Sequence, residues 1–92
     1  MKSRNFAPIQ AQYGVSDMDA VYEKKLGRNI RDLREKRKMT QEELSAKLQL
    51  CGCDITRSAL AKMEVGQRHI YPDELKNIKQ ILNISFDELM DV

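Results

Sequence analysis

The stretch DITRSALAKMEVGQR, residues 54–68, sets Ile55, Leu60 and Met63 at roughly helical spacing and surrounds them with Thr56, Arg57, Ser58, Lys62 and Arg68. A guanidinium is a rigid fork of donors matched to paired acceptors, an ammonium is a mobile point charge, and a serine hydroxyl both donates and accepts. A helix with all three on one exposed face can meet an anionic surface or read acceptors at fixed spacing. The plain alternative is the solvated side of a short helix.

The inventory for catalysis is missing. His69 is the sole histidine, so neither a Ser, His and Asp trio nor a pair of histidines for a metal hydrolase can be assembled, and no GxxxxGK phosphate loop is present. The acidic residues are better explained as helix caps and solvated faces, and no enzymatic activity is expected. Cys51 and Cys53 have no second pair to complete a zinc site, and His69 leaves a Cys, Cys, His set without a fourth ligand. No metal or cofactor is therefore expected. Two thiols one residue apart make a poor disulfide framework and suit a reduced chain. The sequence carries no apolar run of membrane length, and Asp17 and Asp19 interrupt any secretory signal near the start, so no membrane association and a cytoplasmic location are expected.

Charge is more informative in its distribution than in its sum. The 92 residues carry a formal net charge of only +2. From Lys24 to Lys38, eight Lys or Arg stand against Asp32 and Glu35, a local +6, whereas from Ile70 to Val92 Lys76 and Lys79 face five carboxylates, a local −3. An early basic stretch and a late acidic one fit a polyanionic partner, or no more than solvated helix surfaces.

The elements that must position these residues read as helices throughout. Residues 1–18, with Pro8, Gly14 and no stable period, read as an extended or disordered N-terminal arm. A first helix runs from about Asp19 or Val21 to Lys38, with Leu26, Ile30, Leu33 and Arg37 at spacings of four, three and four, and with Gly27 as a mild interior penalty. Thr40 followed by Glu43 is a capping box, opening a helix from Thr40 to about Leu48. After QLCGCD, with Gly52 as turn former, Thr56 caps a short helix ending at Val65, with Gly66 beyond it. Ala59, Leu60 and Met63 are its buried side. Pro72 opens a helix through Leu75, Ile78, Ile81 and Leu82 to Asn83, and Ser85 with Glu88 caps a last turn in which Phe86, Leu89 and Met90 can close the core. No alternating run is long enough for a strand. The 92 residues support a single small core, here in residues 19–92. The fold class is all-α, a compact bundle of five short helices.

A capped helix, a turn and a second short helix with a polar leading edge form a helix-turn-helix arrangement, in which the second helix fits the major groove of B-DNA, about 12 Å wide. A generic helical bundle is the rival reading. The stretch from Ile30 to Met90 resembles the DNA-binding domain of phage repressor and Cro type, the Xre-like helix-turn-helix family, through TQEEL at the second helix, TRSALAKME, Glu64 before Gly66, and the closing LNISFDEL. The resemblance implies a lambda repressor-like DNA-binding domain that binds double-stranded DNA.

Residue by residue, the resemblance implies that Arg57, Ser58 and Lys62 read bases, and that Gln41, at the start of the second helix, holds a backbone phosphate, as do Gln67 and Arg68 in the loop after the third. It implies a structural pair between Arg34 and Glu64, and buried places for Leu60 and Met63. One departure stands out: similar domains commonly join Leu48 to the match of Ile55 through a single glycine, where this chain has the six residues QLCGCD. A tilted third helix, or a second helix continued through Leu50, would absorb the difference. Cys51 and Cys53 lie in that insertion, as a thiol sensor or as loop cysteines without a role.

The expected function is sequence-specific binding of double-stranded DNA as a transcriptional regulator, a repressor working as a homodimer on an inverted repeat, with Phe86, Leu89 and Met90 as candidates for the pairing face. The alternative is a protein-interaction module, such as an antitoxin or a phage-type control protein, that uses the N-terminal arm to engage a protein partner.

Overall fold

The computed structural model describes residues 15–92, with side chains from Ala20 onward. The expected arm lies in its first fourteen residues outside the described part. Five helices follow in chain order: α1 (Val15–Lys36), α2 (Gln41–Leu50), α3 (Arg57–Glu64), α4 (Pro72–Leu82) and α5 (Phe86–Leu89). Helix α1 begins at Val15, upstream of the expected start at Asp19 or Val21, and stops at Lys36 rather than Lys38. Helix α2 runs through Leu50, two residues beyond the expected end. None of the described helices is long and apolar enough to cross a membrane.

The ends of these helices are set by local chemistry. Thr40, Thr56 and Ser85 each accept the backbone N–H three residues on, from Glu43, Ala59 and Glu88. Glu43 and Glu88 return the bond to Thr40 N and Ser85 N, completing two capping boxes. At the other ends, the four residues with left-handed backbone among the described residues are Lys38, Gly52, Gly66 and Asn83, one just past each of α1 to α4. Each lets the next N–H fold back onto the helix: Met39 to Arg34 O, Cys53 to Leu48 O, Gln67 to Lys62 O and Ile84 to Lys79 O. Glycine adopts this conformation freely, whereas Lys38 does so at a cost of roughly 1–2 kcal/mol.

Leu26, Ile30 and Leu33 of α1 meet Leu44 and Leu48 of α2, Leu60 and Met63 of α3, Ile78 and Leu82 of α4, and Leu89 of α5 in one core, with Ile55 from the α2–α3 turn. Arg37 leaves the apolar stripe it extends in the sequence. Its Nε donates to Leu82 O at 2.7 Å and its Nη2 to Asn83 O at 2.9 Å, so it caps the carbonyl end of α4. Phe86, expected to close the core, is 54% exposed, and Leu89 alone of the last helix is fully buried.

Gly27 is more than a tolerated helix interruption. A Cβ there would lie 2.1 Å from Met63 O and 3.1 Å from the Glu64 carbonyl, so α1 rests directly on the end of α3 and only glycine fits. Gly27→Ala should therefore lose stability in urea titration by about 1–3 kcal/mol, the range for overpacking. An exposed helical glycine would gain up to about 1 kcal/mol from the same change. A gain in G27A would remove the close approach.

Candidate nucleic-acid interface

Helix α3 turns Leu60, Met63 and Glu64 inward and leaves Arg57, Ser58, Lys62 and Val65 exposed. Ser58, Lys62 and Val65, four and three residues apart, follow one solvent-facing stripe, and Arg57 is exposed at the start of the helix. Thr56 is occupied by its cap.

Arg57 is connected to the protein interior. Beneath it, Arg34 and Glu64 form a buried two-pronged ion pair, Nε to Oε2 at 2.8 Å and Nη2 to Oε1 at 3.0 Å. The remaining Arg34 nitrogen, Nη1, donates to Met39 O at 2.8 Å. Hydrogen bonding to Glu64 raises the Arg34 pKa above its ordinary value, against the opposing effect of burial, so the guanidinium stays charged. Glu64 Oε1 also accepts from Gln41 Nε2 at 2.9 Å, and Gln41 Oε1 accepts from Arg57 Nη1 at 3.1 Å. The amide orientation of Gln41 follows from its partners, since a carboxylate only accepts and a guanidinium only donates. A relay therefore runs from Arg34 through Glu64 and Gln41 to Arg57. The resemblance implies a phosphate contact for Gln41; one of its amide N–H bonds is taken by Glu64 and the other remains for such a contact. Glu42 lies 3.8 Å from Arg57 Nε, with both side chains more than half exposed, an ion pair of little strength.

The loop after α3 differs more from the sequence reading. Gln67 is exposed, as a backbone contact requires. Arg68 instead forks onto Glu74, Nη1 to Oε1 at 2.9 Å and Nη2 to Oε2 at 3.0 Å, and Nη1 also donates to His69 O. Glu74, the third residue of α4, accepts from Tyr71 N as well. The Arg68 charge is matched within the fold, and this residue ties the loop to α4. The acid at the third position of α4, two residues after Pro72, is a capping signal the sequence displayed, but nothing periodic linked it to Arg68 across the loop.

The cysteines of the insertion part company. Both are free, Cys51 exposed and Cys53 buried in the core cluster, where burial pushes its thiol pKa up. The Ile55 carbonyl at the end of the α2–α3 turn is satisfied from α2: Ser45 Oγ donates to it at 2.7 Å and Gln49 Nε2 at 3.3 Å. Among the described residues no buried side-chain nitrogen or oxygen lacks a partner. Of the three pairing candidates, Leu89 is wholly enclosed by the protein's own core and cannot serve as a surface, Met90 is half-buried, and Phe86 stands out into solvent.

The hydrogen bond from Arg68 holds the Glu74 carboxyl below its ordinary value of 4.5. The stabilisation this gives is fully present above 4.5 and disappears as pH falls through the lower folded-state value. Glu74→Gln should accordingly be less stable than wild type at neutral pH, with the gap closing as urea titrations are taken into acid. A gap that stays constant with pH would dissociate Glu74 from Arg68.

The architecture agrees with an independent comparison: the sequence model of a helix-turn-helix family matches residues 30–89, from within α1 to the last residue of α5. No curated protein and no solved structure matches the chain. With its capped α2, its turn and the solvent-facing side of α3 in place over that span, the chain belongs to the helix-turn-helix family of DNA-binding domains.

Proposed function

We propose that the protein is a sequence-specific binder of double-stranded DNA and a transcriptional regulator of repressor type, acting in the cytoplasm as a two-fold dimer on an inverted repeat. The observation that carries this reading is the relay ending at Arg57. An exposed arginine at the first position of α3 is oriented through Gln41 by a buried ion pair, which limits the freedom it loses on meeting a base. Arg57, Ser58 and Lys62 read base edges, while Gln41 and Gln67 contact the backbone. Guanine presents two acceptors in the major groove to a guanidinium, and with Nη1 on Gln41 the Arg57 side chain keeps further N–H donors for them.

Selection from random duplexes tests this reading. Wild type should enrich an inverted repeat, and its affinity for the selected site should fall steeply as salt rises from about 50 to 200 mM. Arg57→Ala should lose about 1–3 kcal/mol of discrimination at one base pair per half-site with the circular dichroism spectrum unchanged. An unchanged motif would move recognition to Ser58 and Lys62, and failure to enrich any duplex would favour a protein-binding role.

The dimer follows from the small number of bases one short helix can touch, since two half-sites combine their free energies. Phe86, with Met90 one turn later, supplies an apolar edge for pairing. Sedimentation at tens of micromolar should give about twice the 10.7 kDa chain mass, and Phe86→Ser should return it to the monomer value. Monomer mass both free and on DNA would refute the pairing.

A further inference from the structure

The base readers extend along α3 as far as Lys62 in its last turn, and what lies past the helix end is unexplained. Val65, the C-cap residue there, is 50% exposed. A helix about 10–12 Å across lying in a groove about 12 Å wide is flanked by phosphates on both sides, so this end also needs cations. In the following loop Arg68 is already forked onto Glu74, and His69 rests against the Glu23 carboxylate.

Helix α1 carries further cations. Lys24, Arg28 and Arg31, four and three residues apart, line with Glu64 and Val65 a cleft of about 100 Å³ at the end of α3. Glu64 is buried and already neutralised by Arg34. Among the described residues no carboxylate lies within ion-pair distance of Lys24 or Arg28, and Arg31 has only an exposed pair with Glu35 at 3.3 Å. Lys24 and Arg28 also border a second groove, which Lys25, Asp32 and Asp91 line with them. Two glycines set the placement. Gly27 brings α1 onto Met63 O, and a Cβ on Gly66 would lie 2.9 Å from Lys24 Cα, so the α1 backbone is pressed to the rim of α3.

We infer that Lys24 and Arg28, assisted by Arg31, form a backbone clamp that grips phosphates of the same duplex whose bases α3 reads. The inference rests on the DNA-binding reading above. Charge and position favour DNA as the occupant: among the described residues Lys24 and Arg28 have no ion-pair partner, Arg31 has only its exposed one, and the cleft is continuous through Val65 with the reading face. The clamp is independent of sequence, because an ammonium or a guanidinium on a phosphate carries no base information.

The test is the salt dependence of binding by wild type, by Lys24→Gln with Arg28→Gln, and by Lys25→Gln, each on the selected duplex and on a scrambled one. Glutamine keeps much of the side-chain stem, and a circular dichroism melt confirms that the variants are folded. The double variant should bind both duplexes more weakly by the same factor, select the wild-type motif, and reduce the slope of log K against log salt by about 0.9 for each phosphate no longer neutralised. Lys25→Gln should retain the wild-type slope. A double variant with wild-type slope, or an equal loss in K25Q, would overturn the clamp while leaving base reading by α3 intact. Absence of any duplex binding by wild type would overturn the DNA-binding reading, and the clamp with it.

Discussion

Much of this structure depends on one buried ion pair. Arg34 and Glu64 are taken out of water together, and such a pair contributes little net stability unless its remaining hydrogen-bonding capacity is used. Here it is used on every side. The third nitrogen of Arg34 holds the Met39 carbonyl where the chain turns from α1 into α2, and Glu64 receives the Gln41 amide at the start of α2. One charge pair therefore fixes the start of α2 and the end of α3 relative to α1. Removing either partner would leave an uncompensated charge in the interior, with an expected cost of about 3–5 kcal/mol. The pair works as a geometric constraint: it decides where the α2–α3 unit sits more than how stable the domain is.

Helix α1 is the frame on which this constraint acts. Besides Arg34, it sends Asn29 to the Glu88 and Leu89 carbonyls ending α5, and Arg37, just past its end, reaches the carbonyls ending α4. Unsatisfied carbonyls at helix ends carry partial negative charge, so an arginine there satisfies hydrogen bonds and complements the helix dipole at once. This accounts for part of the basic excess around α1. Some of its positive charge is structural and directed inward at helix ends, while Lys24, Lys25 and Arg28 remain outward. A low net charge of +2 thus coexists with a distinctly basic helix surface.

What the sequence made legible was whatever is decided locally or by a regular period. The Thr40 and Ser85 capping boxes, Thr56 as a cap, and Gly52 and Gly66 as helix stops depend on a few neighbouring residues and were readable in place. The stripe of Leu26, Ile30 and Leu33 was readable because its period is that of the helix. Interactions across long separations were not. Gly27 looks like a minor penalty until Met63 O is found against it, and Arg68 looks like a free cation until α4 brings Glu74 to it. The relay through Gln41 also required coordinates, because the Arg34 and Glu64 pair came from resemblance and nothing in the sequence shows a glutamine bridging it to Arg57. Phe86 and Leu89 were interchangeable as apolar residues on a capped turn. The angle at which that turn docks on α1 buries one and exposes the other.

The long α2–α3 connection shows how a departure in length can leave the reading helix well held. Helix α2 absorbs two residues by continuing through Leu50, which then projects into solvent, 88% exposed. Gly52 reverses the chain so that Cys53 N reaches the Leu48 carbonyl and its side chain enters the core. The chain next buries Ile55, whose carbonyl would be left without water, and Ser45 and Gln49 from α2 both donate to it. Leaving a buried carbonyl unpaired costs about 1–3 kcal/mol, so those two side chains fix the last residue before the α3 cap as well as any short turn could. The added residues are thus anchored at both ends. The direction of α3 is then fixed from two places: Ile55 bound to α2 before its start, and Glu64 bound to Arg34 at its last residue.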